Sequence, residues 1–237
     1  MGGLDLSRVL IVGLGRSGLA AARLAARDGT DVWITDQRRD PEFGDALVGL
    51  PSGVRRFFGG HPLECLEGVD LLVVSPGVAP DVEILRAARK RKISICTEVE
   101  FAWMHAPDAP LVAVTGSNGK STVTMLTVEM LVAGGVAAVA GGNLGTAACE
   151  LVMTGGWECW VLEISSFQAE LLTEMKPSVG IFLNLSQDHL ERHPDMASYG
   201  SAKRRLFAYQ DASDVAVLNA DDEQVIGTPT AARRRLF

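Results

Sequence analysis

Short apolar runs rich in β-branched residues alternate along this chain with Ala/Leu-rich amphipathic segments, and that alternation constrains the fold more than any other feature. In the first half the runs are Arg8 to Val12 (RVLIV), Asp31 to Thr35, Asp70 to Ser75 and Ile93 to Thr97, with helical segments such as Ser17 to Arg27 between them. Strands joined through helices build parallel sheets with helices on their faces. The stretch His105 to Pro110 (HAPDAP) then breaks the periodicity, because its two prolines remove backbone donors. A second series follows: Leu111 to Thr115, Ala137 to Gly141, Cys159 to Ile164, Val179 to Leu183 and Asp214 to Leu218. Arg233 to Phe237 reads as the start of a further strand, so the second domain is expected to be incomplete. The expectation is an α/β chain of two domains, residues 1–106 and 107–237, and 237 residues that are 47% hydrophobic suffice for two cores.

Charge and cysteine usage exclude some classes. With 22 basic against 29 acidic residues and a net charge of -7, the chain lacks the broad basic surface of a nonspecific nucleic-acid binder. Arg233 to Arg235 reads as a solvated face or strand edge. Cys65, Cys96, Cys149 and Cys159 are far apart, form no C-x-x-C and lie in apolar runs, which suits buried free thiols in a reducing cytosol. The sequence shows no signal peptide, and no apolar run approaches the ~18 residues of a membrane span, so a cytoplasmic location without membrane contact is expected.

The segment LVAVTGSNGKST resembles a phosphate cradle with unusual spacing. The common form G-x-x-x-x-G-K-[S/T] requires a glycine where this chain has Val114. The context still fits, because an apolar strand enters a glycine-flanked turn that opens a helix near Lys120. Backbone N–H groups at a helix start bind anions with the macrodipole behind them. Gly116 and Gly119 permit the tight path through Ser117 and Asn118, Lys120 adds charge for the β/γ-phosphates, and the hydroxyl of Ser121 or Thr122 suits Mg²⁺. The bland alternative is a glycine turn before a Ser/Thr-rich helix, which the combination Gly-Lys-Ser-Thr at a strand-to-helix junction disfavours.

A magnesium nucleotide needs a nearby acid. Glu163, in WVLEIS, is costly to bury without a cation or hydrogen-bond partners, the alternative being a surface glutamate at a strand edge. His189 and His193 in NLSQDHLERH stand four apart, but the protease pattern H-E-x-x-H fails because Leu190 follows the first histidine. His189 remains a candidate metal ligand or substrate contact. In MASYGSAKRRLF, helical spacing puts Lys203 on the stripe of Met196, Tyr199 and Leu206/Phe207. Burial there would favour the neutral amine. On spacing alone, a lysine that snorkels to the surface along its stem is the commoner outcome.

Gly13 to Gly18 reads GLGRSG after a strand, and Asp36 closes the next strand, a dinucleotide fingerprint that makes an NAD-dependent oxidoreductase a rival reading. That reading leaves the second half's phosphate loop without a purpose. Ser75 to Val78 (SPGV) is either another wall of that site or a plain strand-end turn.

Taken in order, GLGRSG, SPGV, GSNGKST, GGNLG (Gly141 to Gly145), EISSFQ, NLSQDHLERH and YGSAKRRLF resemble the Mur ligases over essentially the whole chain. The resemblance implies a Rossmann-like N-terminal domain for a uridine nucleotide, then a P-loop-type central ATPase domain. It also implies a third, amino-acid-binding domain that these residues do not supply, so that turnover by this chain alone is expected to be poor or absent. The S-S-F-Q form points to the member that joins D-glutamate to UDP-N-acetylmuramoyl-L-alanine through an acyl phosphate, using ATP and Mg²⁺, as a monomer. The catalytic set would be Lys120, Asn143, Glu163, His189 and Lys203. Ser121 and Glu163 would hold one Mg²⁺, and His189 with a carbamylated Lys203 a second. Asn143, Ser165, Gln168 and His189 would line the muramoyl-alanine end. Leu14, Gly15, Arg16 and Ser17 would take the diphosphate, Asp36, Gln37 and Arg38 the uracil, with Ser75 and Gly77 as a further wall. Asp36-Gln37-Arg38 departs from the family's Asp-Thr-Arg at Gln37. A noncatalytic UDP-sugar-binding module is the other rival.

Overall fold

The structure is a computed structural model that describes residues 6–105, 110–188 and 192–237. The chain divides into two compact units, Met1–His105 with Ala147–Met153, and Ala106–Thr146 with Thr154–Phe237.

The first unit contains β1 (Arg8–Val12), α1 (Arg16–Arg27), β2 (Asp31–Asp36), β3 (Arg55–Phe58), β4 (Leu71–Val74), α2 (Glu83–Lys90), β5 (Ser94–Thr97) and α3 (Glu98–Met104). Its parallel sheet has the order β3-β2-β1-β4-β5. Val9 to Val12 of the central β1 are fully buried. A parallel strand covered on both faces reads as an unbroken apolar run, which is why RVLIV was legible. From β1 the chain winds outward to β2 and β3, then crosses to β4 and β5, so a crevice opens at the carboxyl ends of β1 and β4. The strand β3 (RRFF) was not anticipated. It is an edge strand paired with β2 and largely exposed, so it lacks an apolar run, and its Arg55 guanidinium lies 4.5 Å from the centre of the Trp33 ring.

In the second unit, β6 (Leu111–Thr115) leads into α4 (Lys120–Ala133). Then come β7 (Ala138–Gly142), α5 (Ala148–Thr154), β8 (Cys159–Glu163), α6 (Ser166–Ala169), β9 (Val179–Phe182), α7 (Met196–Arg204), β10 (Val215–Leu218), α8 (Glu223–Ile226) and β11 (Arg233–Leu236). The sheet is parallel with order β11-β10-β9-β6-β8-β7, so the glycine loop after β6 stands at the switch point. Val114, Val128, Val161 and Leu183 build the core beneath it. As expected, Arg233 to Arg235 form an exposed edge. Ala147–Met153 group with the first unit although they lie between β7 and β8 in sequence, and there the Cys149 N–H donates to Glu98 Oε1 at 2.6 Å.

All four cysteines are buried and free. No described helix is long and apolar enough to cross a membrane.

Candidate active site

The loop after β6 is shaped by two glycines and held by a neighbouring segment. Gly116 and Gly119 have φ of +154° and +81°, values that side chains resist, and a Cβ on Gly116 would stand 3.0 Å from Leu183 Cβ. The Ser117 and Asn118 N–H groups donate to the Asn184 carbonyl and Oδ1 at 3.0 and 2.9 Å, and Asn184 Nδ2 returns a bond to Asn118 O. Ser117 Oγ donates to Ser186 O and accepts from Ser186 N–H, with Tyr199 Oη 3.3 Å away. Lys120 opens α4 and its Nζ donates to Ser117 O at 2.8 Å. Asn184 and Ser186 were not singled out from sequence. Their only signal was position, at the carboxyl end of a strand adjacent to β6.

Glu163 ends β8 and is 2% exposed. Its Oε2 accepts from Ser121 Oγ and its Oε1 from Asn143 Nδ2, each at 2.6 Å. Asn143 reaches it because Gly142, at φ +88°, turns the chain so closely over β8 that a Cβ there would lie 2.5 Å from Glu163 O. The surface-glutamate alternative is thereby excluded. Ser165 and Gln168 cap the short α6 reciprocally, the Gln168 N–H donating to Ser165 Oγ and the Ser165 N–H to Gln168 Oε1.

Lys203 is 1% exposed, so it does not snorkel. Its Nζ donates to Gly116 O at 2.8 Å and lies 4.6 Å from the Tyr199 ring centre. Burial first, and then the nearby Lys120 charge, bring its pKa down from 10.5 to about 7 against the opposing pull of Asp188 and Glu163. Lys120, Asn143, Ser165, Ser166, Phe167 and Lys203 line one cavity of about 180 Å³. His189 lies outside the described residues. Thr122 is exposed and makes none of these contacts. His193, buried at 2% exposure, bonds Ser166 Oγ through Nε2 at 3.0 Å. Among the described residues no three His, Cys, Asp or Glu side chains cluster as a metal centre. Ser121 and Glu163 nevertheless offer hard oxygen donors beside a phosphate loop, the donor set Mg²⁺ takes when substrate phosphates and water complete its shell.

In the first unit, Gly18 of α1 lies directly on the end of β1: a Cβ there would be 1.9 Å from Gly13 O. Ser75 Oγ donates to that same carbonyl at 2.6 Å, so the SPGV turn braces the glycine turn. Asp36 Oδ2 accepts from the Leu14 N–H at 2.6 Å and from Arg38 Nη2 at 3.0 Å. Its Oδ1 accepts from Arg38 N and Nε at 2.9 and 3.1 Å. Arg38 also donates to Leu14 O and stacks over Phe43. These donors outweigh partial burial and keep the Asp36 carboxyl below its usual pKa. Gln37 is exposed, and so are Gly15 and Arg16.

The sequence profile of the Mur ligase middle domain matches residues 114–235, and that of the Mur ligase MurD-like N-terminal domain matches residues 7–97. The chain belongs to the Mur ligase family. The UDP-N-acetylmuramoylalanine--D-glutamate ligase of Anaeromyxobacter dehalogenans is 45% identical over 228 residues, covering 96% of this chain and 49% of the relative. The enzyme of the same name from Myxococcus xanthus is 39% identical over 236 residues, covering 99% and 52%. This Mur ligase chain thus spans about half the length of the curated relatives it matches. Among solved structures, UDP-N-acetylmuramate:L-alanyl-gamma-D-glutamyl-meso-diaminopimelate ligase from Neisseria meningitides superposes with a TM-score of 0.63 at 15% identity, covering 98% of this chain and 78% of that one. At that identity the likeness concerns the fold, which is the Mur ligase pairing of a Rossmann-like and a P-loop-type domain.

Proposed function

We propose that this chain carries the nucleotide sites of an ATP-dependent ligase that joins D-glutamate to UDP-N-acetylmuramoyl-L-alanine in peptidoglycan precursor synthesis. The observation that carries the reading is the convergence of Lys120, Asn143, Ser165 and Lys203 on one cavity, with Glu163 fixed beside it by Ser121 and Asn143. The names of the most similar relatives support the choice of amino acid. The oxidoreductase reading leaves the phosphate loop of the second unit, its cavity and the bonded Glu163 without a purpose.

In this reading the amides of the 116–122 loop and Lys120 bind the β- and γ-phosphates of ATP. Ser121 and Glu163 would hold Mg²⁺, which would supply positive charge against the negative charge gathering on the phosphates. The alanyl carboxylate attacks the γ-phosphorus, ADP departs, and an acyl phosphate forms. The amine of D-glutamate then attacks the acyl carbon, losing a proton as phosphate leaves and the amide forms. Lys203, half neutral near pH 7, reacts with CO₂ to give a carbamate and a proton. That change would replace a cation with oxygen donors suited to a second Mg²⁺, for which the family resemblance implies His189 as another ligand. Asn143, Ser165 and Gln168 position the muramoyl-alanine end, and the first unit takes the uridine diphosphate.

The test is phosphate release from ATP by a chain of the relatives' full length containing these residues. Release is expected only with Mg²⁺, the muramoyl-alanine nucleotide and D-glutamate together, and Lys120→Ala is expected to reduce it by more than ~100-fold. Equal release with L-alanine replacing D-glutamate would refute the choice of amino acid. Release without the muramoyl nucleotide would refute the ligase reading.

A further inference from the structure

His193 lies buried at 2% exposure in the turn before α7 and takes no part in the proposed chemistry. Burying an imidazole costs free energy unless its polar atoms are bonded. Its Nε2 stands 3.0 Å from Ser166 Oγ, in a residue that is itself 1% exposed, and its ring centre lies 5.8 Å from that of Phe167 and 5.2 Å from that of Tyr199. Arg192, the residue before it, grips the same helix: its guanidinium carbon lies 4.9 Å from the Phe167 ring centre and its Nη2 3.6 Å from Glu170 Oε2. A phenylalanine would make the ring contacts without the cost of burying nitrogen, so the bond to Ser166 is what a histidine adds here.

The helix it holds cannot hold itself. α6 is a single turn of four residues, and a helix that short is not stable alone in water. The reciprocal Ser165–Gln168 bonds are internal to that turn and cannot place it against anything else. Yet Ser165, Ser166 and Phe167 at its head line the cavity together with Lys120 and Lys203. α7, against which α6 packs, is tied to the phosphate loop, Lys203 Nζ donating to Gly116 O at 2.8 Å and Tyr199 Oη lying 3.3 Å from Ser117 Oγ. Polar contacts thus run from the loop to α7, and from the turn that starts α7 through His193 to the head of α6.

We propose that His193 is a positioning residue for the ligase reaction: by holding Ser166 Oγ it fixes the head of α6, so that Ser165 and Gln168 present the muramoyl-alanine end at the right distance from the phosphate loop. The inference rests on the proposed ligase function. Placement matters there because a carboxylate must meet the γ-phosphorus within a narrow range of distance and direction, and a shift of about 1 Å can cost on the order of 100-fold.

The experiment is steady-state phosphate release by a chain of the relatives' full length, with the muramoyl-alanine nucleotide and then ATP varied, for the wild type, His193→Phe, Ser166→Ala, the double variant and His193→Gln. His193→Phe and Ser166→Ala are each expected to raise KM for the muramoyl nucleotide about fivefold or more, the scale of one lost buried hydrogen bond, while KM for ATP stays within about twofold. A KM does not depend on the folded fraction, so partial unfolding cannot produce this split. The double variant should be no worse than about twofold beyond either single one, because both remove the same bond. His193→Gln, whose amide can bond Ser166 Oγ, should recover most of the loss. Wild-type KM values in His193→Phe, an equal rise for both substrates, multiplied losses in the double variant, or a glutamine variant as impaired as the phenylalanine one would overturn the role of His193 and leave the ligase function standing. A wild type that releases no phosphate with all three substrates and Mg²⁺ would overturn both.

Discussion

Lys203 shows how a single side chain can carry a pH signature. Its folded pKa is depressed from 10.5 to about 7, so between those values the unfolded chain holds a proton that the folded chain has released. Stability attributable to this group therefore rises as pH increases from about 7 toward 10.5, and is lost on descending through the same window. In Lys203→Met that rise should disappear from a series of urea midpoints, and a variant retaining the wild-type slope would contradict the burial of the amine. Glu163 permits a cleaner separation of fold from chemistry. Glu163→Gln keeps one oxygen for Asn143, and the Ser121 hydroxyl can rotate to accept from the new amide, so stability should change by about 1 kcal/mol or less. Mg²⁺ should then cease to strengthen ATP binding by the chain, which titration with and without the metal reads directly. Sequence spacing put Lys203 on an apolar stripe but favoured snorkelling, which its burial overturns. The deciding partner, Gly116 O, is distant in sequence and close only in the folded unit.

At the level of elements, the apolar runs and the helix starts were legible because buried parallel strands have no polar face to confuse the pattern. Features held by side chains from elsewhere were not. The edge strand β3 pairs with β2 and sets Arg55 over Trp33, and the phosphate loop is bonded by Asn184, contacts that no local periodicity encodes. The join between β1 and α1 lies between these cases, since GLGRSG announces a tight turn without saying which glycine tolerates least. The structure separates them. A methyl group on Gly18 would collide with Gly13 O at 1.9 Å and Ser75 Oγ at 2.7 Å, whereas one on Gly15 would meet nothing within 4 Å. Gly18→Ala should therefore cost about 3 kcal/mol or more and weaken UDP binding, while Gly15→Ala should stay within about 0.5 kcal/mol of wild type. Urea denaturation of the two variants side by side checks the contrast, and similar losses in both would refute the close approach of α1 to β1.

Across the whole molecule, sequence order and spatial grouping part company at Ala147–Met153. A reading along the chain assigns this stretch to whichever domain surrounds it, because amphipathicity says that a helix has a buried face but not which core receives it. Here the tie is Glu98, 1% exposed, whose Oε1 accepts the Cys149 N–H. Burial leads in raising the Glu98 pKa from 4.5 to about 7, the Cys149 bonds and Arg16 oppose it, and Glu150 adds to it. Between those values the folded state holds a proton that the unfolded state has released, so this group's contribution to stability falls as pH rises from 4.5 to 7. Glu98→Gln keeps an acceptor for Cys149 without a charge, and should flatten that decline while leaving the grouping intact. Hydrogen exchange in sub-denaturing urea then tests the grouping itself. The amides of 149–153 should open together with those of β1 and β4, since they belong to the same compact unit, and not with β7 and β8, which flank them in sequence. Exchange of 149–153 in step with β8 would show that Glu98 does not anchor the segment.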